Sequence, residues 1–533
     1  MKNSLSHLSS MDDPLSRSTS RPPYAKWVGV CVLLYLVLPG EAFGQVITNS
    51  QSSGTLNWSD PAAWNGVTPP GAANTAQYNL GGTTTTVVDG AITILGLDVT
   101  SSSGTKNITL GSNVLSVGTL DKAGDSTLSI RGQSGTFSGT TVNVTAGTLR
   151  FGNPGATANL TINSLTVNGK TTISSGATME LNVNTFSSTS NRGTFAELEN
   201  NGTVRILTNS ASAAVGGANV TRLTGGGTTE VNSTDSIATG TLHINGSSGT
   251  STYSGILRNG AASNTLVLQK SGNSTQTLSG ANTYSGGTTV TEGLLIGDHN
   301  TAFGTGSVQA NGGVTRIAGS RTINNAITIN GGELNVRGTA SGAVTFGASG
   351  GRLSGDGSVS SSLTLNQTNQ ILAPGNSTGV LAFGSSQSWS ALTYEWELNS
   401  WSVTAAAGSN YDQVSITGEL DFSLASENSI RLELVSLLGD NTPGNVPGFA
   451  EANRQWTIIS TSGGITEFNA SHWDLVTTGF TSSPAWSGSW TVSASSNQIF
   501  LNYVIPEPSS ALLLGAGLMC LLARRRVLRP KNR

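Results

Sequence analysis

The residues best suited to chemistry are two carboxylates separated by one position, Glu395 and Glu397. Paired carboxylates are the groups with which glycosidases protonate a leaving group and activate water. In a β-strand, residues two positions apart lie on the same face, so both carboxylates would lie opposite Trp396. A strand that shows polar residues to water and buries its tryptophan has the same pattern. We favour that second interpretation.

Metal-binding residues are sparse along the chain. The histidines that follow position 45 are His243, His299 and His472, and none has a nearby ligand pattern of the kind that binds zinc. Gly355-Asp356-Gly357 resembles one imperfect copy of a calcium-binding repeat, which needs several stacked copies. We therefore expect no metal site and no cofactor, and leave calcium binding open.

A phosphate-binding loop is suggested only by Gly169-Lys170-Thr171. Position 164 is Ser where the motif requires Gly, and no helical pattern follows. The segment predicts a strand-joining turn. We expect that the protein is not an enzyme. The alternative is a carbohydrate-active enzyme or a carbohydrate-binding protein, which would need a cleft lined by acids and aromatic residues.

Composition restricts the classes of partner. The chain has 533 residues, of which 10% are charged, and 68 glycines. Residues 45–505 hold 16 Lys and Arg against 25 Asp and Glu, and this acidity argues against a nucleic-acid partner. The two cysteines, Cys31 and Cys520, lie in apolar runs near the two ends, so the body is expected to have no intramolecular disulfide.

The elements that would position these residues are short β-strands. Apolar residues alternate with Thr or Asn in runs such as Ile92-Thr93-Ile94, Val142-Asn143-Val144 and Ile327-Thr328-Ile329. A period of two indicates strands with one apolar face, and Gly and Asn mark the turns between them. Regular short strands predict an all-β protein, either an antiparallel sandwich or a parallel β-helix.

Tryptophan divides the chain into two regions. None occurs between Trp64 and Trp389, and six follow Trp389. We interpret residues 384–503 as a C-terminal antiparallel β cap or small sandwich with an aromatic core, because a solenoid must cover its open end. Trp58 and Trp64 are expected to cap the opposite end.

The N-terminal residues 1–44 have the pattern of a signal peptide. Basic residues precede the apolar run Trp27–Leu38, and Ala42-Phe43-Gly44 supplies the small residues that a signal peptidase needs. Cleavage is predicted before Gln45. An apolar run of 12 residues is shorter than the roughly 20 that span a bilayer, which disfavours a permanent anchor.

The C-terminal residues 504–533 combine three features. Pro506, Glu507 and Pro508 precede the apolar segment Ala511–Ala523, and three arginines, Arg524, Arg525 and Arg526, follow it. Arginines after a short helix hold its end in the cytoplasm. This order resembles the PEP-CTERM sorting signal. The resemblance implies a short transmembrane helix, transient inner-membrane anchoring, and processing near the motif by an exosortase, with release or attachment at the cell surface. In this family Glu507 would be a recognition residue.

A repeat lies within residues 251–313. It includes Leu266-Val267-Leu268-Gln269-Lys270-Ser271-Gly272 and Thr283-Tyr284-Ser285-Gly286-Gly287-Thr288-Thr289-Val290. It resembles the autotransporter-associated β-strand repeat, which implies a right-handed parallel β-helix for residues 45–383. No run of amphipathic strands long enough for a membrane barrel follows, so the repeat is evidence of fold only.

Together these features predict a noncatalytic exported protein of the cell surface or extracellular matrix, with a structural or adhesive role. The expected partners are an exosortase-type processing enzyme, extracellular polysaccharide, and the membrane before processing. Rows of Thr, Ser and Asn would suit weak multivalent contact with glycans.

Overall fold

The computed structural model describes residues 44–505, except 133, 153–161, 163, 183–192, 208–215, 233–238, 262 and 403. Ala42 of the predicted cleavage site and the sorting residues Pro506 to Arg526 lie outside this part, as does the predicted C-terminal transmembrane helix. Within the described residues, no helix has the length and apolar character needed to cross a membrane.

The described residues form 43 β-strands and two short 3-10 helices, which confirms the all-β prediction. The helices are η1 Pro61–Trp64 and η2 Ala470–His472. The first strands are β1 Val46–Thr48, β2 Gly54–Asn57, β3 Thr75–Tyr78, β4 Thr84–Val87, β5 Ile92–Val99, β6 Thr105–Thr109, β7 Val114–Lys122, β8 Thr127–Arg131, β9 Thr136–Val144, β10 Thr148–Phe151, β11 Ser164–Ile173, β12 Thr178–Asn182, β13 Gly193–Asn200, β14 Thr203–Leu207, β15 Gly216–Thr224, β16 Thr228–Val231 and β17 Thr239–Ile244.

The middle strands are β18 Thr250–Tyr253, β19 Ile256–Arg258, β20 Thr265–Lys270, β21 Thr275–Leu278, β22 Thr288–Val290, β23 Leu294–Gly297, β24 Val308–Ala310, β25 Val314–Ile317, β26 Thr322–Ile323, β27 Ile327–Ile329, β28 Glu333–Val336, β29 Thr339–Ala340, β30 Val344–Phe346, β31 Gly351–Gly355 and β32 Ser358–Val359. The last are β33 Thr364–Pro374, β34 Val380–Phe383, β35 Gln387–Leu398, β36 Gln413–Ile416, β37 Glu419–Asp421, β38 Ile430–Ser436, β39 Arg454–Thr461, β40 Gly464–Thr466, β41 Trp473–Gly479, β42 Ser489–Ala494 and β43 Gln498–Val504.

The strands form four sheets in the described residues. The fourteen-strand sheet has the order β1-β3-β5-β7-β9-β11-β13-β15-β17-β20-β22-β24-β27-β30, and the nine-strand sheet β19-β16-β14-β12-β10-β8-β6-β4-β2. The twelve-strand sheet runs β18-β21-β23-β25-β28-β31-β33-β35-β37-β40, with β38 and β41 paired beside β35. The eight-strand sheet runs β26-β29-β32-β34-β36-β39-β43-β42.

The chain visits these sheets in turn, and, apart from the antiparallel pairs of β43 with β39 and β42, the described strands pair in parallel with the strand one circuit later. The circuits therefore stack as the coils of a parallel β-solenoid, as predicted. The core lies inside the coils, because alternate residues such as Leu266, Leu268 and Lys270 of β20 point inward and are buried. The right-handed sense of the coil stays a prediction.

The N-terminal end of the core is closed by aromatic residues. The rings of Trp58 and Trp64 lie 4.9 Å apart, and Tyr78 packs edge-on against Trp64 at 5.8 Å. Trp64 ends helix η1, whose first turn is capped by the side chain of Asp60. Trp58 and Trp64 are fully buried, in agreement with their expected role at this end.

The C-terminal region differs from the prediction. Strands β33, β35, β38 and β41 pair in parallel, so the stacking of coils continues past residue 383. Antiparallel pairing is found, among the described residues, between β39 and β43 and between β43 and β42. The antiparallel cap predicted for 384–503 is therefore wrong for most of that range. Alternation of apolar and polar residues defines the faces of a strand but not the direction of its neighbour.

Tryptophans fill the end of the core, as expected. Trp401 is buried and packs against Phe449, Trp456, Trp490 and Tyr503, with ring centroids 4.6–6.1 Å apart. The antiparallel strands β39, β42 and β43 supply three of these rings. This cluster covers apolar side chains that a further coil would otherwise bury.

Candidate functional site

A cavity of about 200 Å³ opens on the twelve-strand sheet. Its lining residues come from β28, β31, β33 and β35 and from the loops after β33 and before β36, and include Glu333, Arg352, Glu395, Glu397 and Asp412. The small side chain of Ala373, which pairs in register with Ser354, also lines the cavity. The structure thus brings the predicted carboxylate pair together with three further charged side chains.

Arg352 is the cation of this cavity. Its guanidinium bonds the carboxylate of Glu395 and lies 4.0 Å from that of Glu333. Glu333 also accepts a hydrogen bond from the hydroxyl of Ser354. These contacts connect strands β28, β31 and β35, so Glu395 has a clear structural partner.

Asp412 lies at the buried side of the cavity. Its carboxylate accepts one hydrogen bond from the N–H of Gly379 at 2.8 Å and another from the N–H of Glu397 at 2.9 Å. The indole N–H of Trp396 donates to the main-chain carbonyl of Asp412 at 2.8 Å. Asp412 therefore fixes the main chain of β35 to the loop that leads into β34.

Burial changes the acidity of two of these groups. Desolvation, together with the nearby charge of Glu397, raises the pKa of Asp412 well above its ordinary value. Desolvation also raises the pKa of Glu397, and Glu395 adds to this increase while Arg352 opposes it. Both oxygens of Asp412 already accept hydrogen bonds from the main chain, which gives this carboxylate a structural role.

The sequence located only part of this cluster. The structure buries Trp396 and turns Glu395 and Glu397 to the other face of β35, as the spacing predicts. Glu333, Arg352 and Asp412 were not predicted as neighbours, because the stacking of coils brings them together from distant parts of the chain.

Three of the other candidate residues, His243, His299 and Asp356, have structural partners. His243 contacts the side chains of Asn219 and Ser271, and His299 contacts Thr301 in its own turn. No group of three or more His, Cys, Asp or Glu side chains within the described residues could hold a metal ion. Asp356 pairs with Arg337 at 3.5 Å.

The structure contradicts the strand-joining turn predicted at Lys170. It lies inside strand β11, next to a shift in register, and not in a strand-joining turn. Its ammonium group lies 2.6 Å from Glu199. The polar spacing of the surrounding residues resembled a turn because a bulge interrupts the alternation there.

Two buried lysines have nearly the same environment in different coils. Lys122 donates hydrogen bonds to the main-chain carbonyls of Gly124 and Ala146, which lie in consecutive coils. Lys270 donates to the carbonyls of Ser271 and Gly272 at 2.8 and 2.6 Å and, one coil later, to that of Glu292 at 3.3 Å. Each lysine therefore joins the turns of two stacked coils.

A glycine follows each of these cross-coil carbonyls. Gly147 and Gly293 have φ values of +65° and +67°. A β-carbon at Gly293 would lie 2.8 Å from the Lys270 ammonium, and one at Gly147 would lie 2.7 Å from that of Lys122. The buried lysine and the glycine together form a repeated local structure, here called the lysine staple.

Comparison with protein families finds two models that match parts of the chain. Residues 120–151 and 268–296 match the passenger-associated-transport-repeat, and each match contains one lysine staple. Residues 504–526 match the PEP-CTERM protein-sorting motif.

The chain carries a PEP-CTERM sorting signal. A protein with this signal is exported, is sorted by an exosortase, and reaches the cell surface, and the passenger-associated-transport-repeat fits a surface protein. A search of curated proteins found no match. The sorting residues Pro506, Glu507 and Pro508 directly follow the last described residue, Ile505.

Proposed function

We propose that this is a noncatalytic protein of the cell surface or extracellular matrix, with a structural or adhesive role. It is exported with a signal peptide cleaved between Gly44 and Gln45 and is anchored briefly in the inner membrane before an exosortase-type enzyme processes it near Glu507. The observation that carries this proposal is the sorting motif at residues 504–526.

The position of the motif relative to the fold supports processing. Strand β43 ends at Val504, and the N–H of Ile505 still donates to the side chain of Asn453 at 2.9 Å. The motif therefore begins where the hydrogen-bonded body ends, so cleavage there would leave every described strand intact. Mass spectrometry of the mature C-terminus tests this arrangement.

The construction of the body supports a structural or adhesive role. Stacked parallel coils satisfy their main-chain groups internally, and lysine staples and cross-coil ion pairs add contacts between coils. Arg205 lies between Glu180 and Glu230 on neighbouring strands, and Arg258 pairs with Glu230 at 2.6 Å. Such a body suits a long-lived extracellular protein, and extracellular polysaccharide is its proposed partner.

A carbohydrate-active enzyme is the second candidate, and the cavity around Glu397 is the observation that favours it. The noncatalytic proposal is supported by the partners of the acids there, since Arg352 binds Glu395 and two main-chain amides occupy Asp412. Release of reducing sugars from neutral and acidic polysaccharides by the wild-type protein, and its loss in Glu397→Gln, would favour the enzyme.

A further inference from the structure

One line of side chains crosses twelve consecutive strands of the fourteen-strand sheet. Each residue of the line pairs in register with the next, without a shift. The line, here called the polar ladder, consists of Thr93, Ser116, Ser138, Thr166, Thr194, Asn219, His243, Gln269, Thr289, Gln309, Thr328 and Thr345. Neighbouring strands lie about 4.8 Å apart, so the ladder extends over roughly 50 Å.

No Asp, Glu, Lys or Arg occurs among these twelve residues. The residues two positions further along each strand or its turn are uncharged as well: Leu95, Gly118, Thr140, Asn168, Ala196, Thr221, Asn245, Ser271, Thr291, Asn311, Asn330 and Gly347. All twelve side chains of the ladder are half-buried or exposed. The ladder is therefore a continuous line of uncharged side chains that displays hydroxyl and amide groups, with one imidazole.

Charged residues are concentrated elsewhere on the same coils. On the nine-strand sheet, Arg150, Glu180, Arg205, Glu230 and Arg258 pair in register across five strands. Farther along the long strands of the fourteen-strand sheet, Lys170, Glu197 and Arg222 also lie in register and form ion pairs. The coils thus separate a charged surface from the neutral polar ladder.

The chemistry of the ladder selects one class of partner. A phosphate-bearing or polyanionic polymer needs cations, which the ladder lacks. Strand addition needs free main-chain groups, and those of the interior strands already pair within the sheet. An uncharged polysaccharide offers hydroxyl groups that donate and accept hydrogen bonds, and each sugar ring of an extended chain advances by about the spacing between neighbouring strands.

We propose that the polar ladder binds an uncharged polysaccharide chain that lies across the strands. The proposal rests on the extracellular location proposed above and assigns the binding surface and the ligand class. Single contacts of this kind are weak, and the repetition along the ladder supplies the avidity.

The test is co-sedimentation of the purified full chain with insoluble cellulose and, separately, with an insoluble neutral α-glucan. The ladder variant combines Thr194→Lys, Thr289→Lys and Thr328→Lys. Each lysine replaces a hydroxyl group with a long charged side chain, so it should interrupt packing and hydrogen bonding with a neutral polysaccharide at three coils. The matched control combines Thr127→Lys, Thr178→Lys and Thr228→Lys, which are half-buried threonines on the nine-strand sheet. Circular dichroism establishes that both variants fold.

We expect the wild type and the control to sediment with at least one neutral glucan, and the ladder variant to lose at least ten-fold in retention. Equal loss in the folded control, or no retention of the wild type on either glucan, would overturn the proposal. A failure of the sorting proposal is distinguishable from a failure of this one. It would appear in the mature C-terminus and would leave the retention of the purified protein on the glucan unchanged.

Discussion

The carboxylate of Asp412 accepts a hydrogen bond from the main-chain N–H of Glu397 at 2.9 Å, and folding raises the pKa of both acids. An acid whose pKa is raised by folding holds its proton more tightly in the folded state. The free energy of unfolding contributed by this pair therefore falls as the pH rises above the ordinary carboxyl range.

Glu397→Gln should weaken this dependence on pH. Removal of one acid eliminates its own titration and relieves the repulsion on Asp412. Between pH 5 and pH 8, the variant should lose less thermal stability than the wild type, as measured by melting curves at both pH values. The control is Glu467→Gln, at an exposed acid that does not line the cavity. Its loss of thermal stability between the two pH values should equal that of the wild type. Parallel pH curves for Glu397→Gln and the wild type would show that the pair is not coupled to folding.

Lys270→Met should destabilise the solenoid. The change keeps most of the apolar stem but leaves the carbonyls of Ser271, Gly272 and Glu292 without their donor. A buried group that loses its hydrogen-bond partner costs about 1–3 kcal/mol. Denaturant unfolding measures the effect, and Lys170→Met, at a half-exposed lysine, should cost less than about 1 kcal/mol. Equal effects at the two positions would contradict the staple.

Gly293→Ala should be more harmful than an ordinary change of glycine to alanine. The residue has φ of +67°, and the added β-carbon would meet the main chain of the preceding coil and the Lys270 ammonium. We expect a loss of more than about 2 kcal/mol in the free energy of unfolding. Gly176→Ala is the matched control, because Gly176 also has a positive φ, +82°, but a β-carbon there meets nothing within 4 Å. A Gly293→Ala protein as stable as the control would show that the turn can adjust without cost.

Glu230→Gln should reveal the contribution of the cross-coil ion pairs. Burial raises the pKa of Glu230, but hydrogen bonds from Arg205 and Arg258 outweigh it, and the pKa is lowered overall. The stability from this group is therefore present above its unfolded pKa and is lost as the pH falls through its folded value. At pH 7 the variant should be less stable by about 1–3 kcal/mol, with a smaller difference near pH 3. Asp356→Asn, at the exposed pair with Arg337, should change stability by less than about 0.5 kcal/mol.

The sequence predicted the strands well because alternation of apolar and polar residues is local. The runs around Thr93 and Thr328 became strands, and the aromatic positions Trp58 and Trp401 became closed ends of the core. The parallel direction of β35, β38 and β41 depends on how distant segments stack, which alternation does not encode. For the same reason the sequence indicated Glu395 and Glu397 but not their neighbours Arg352 and Asp412.

The burial of two lysines is a second feature that was not predicted from the sequence. Lys122 and Lys270 appear in polar surroundings, but their side chains are fully buried, and burial lowers the pKa of each to about 8. The signal that could have located them is a glycine two positions later, Gly124 or Gly272, together with a second glycine about one coil later. Comparison of the two segments would have revealed it.

The most direct test of the central claim is the mass of the mature protein from surface and medium fractions of cells that express the wild type or a variant with Pro506, Glu507 and Pro508 changed to alanine. We predict a wild-type chain that begins at Gln45 and ends near residue 508, and a variant that retains the arginines Arg524 to Arg526 and stays with the inner membrane. An intact C-terminus in both proteins, with the same distribution between fractions, would contradict sorting by an exosortase.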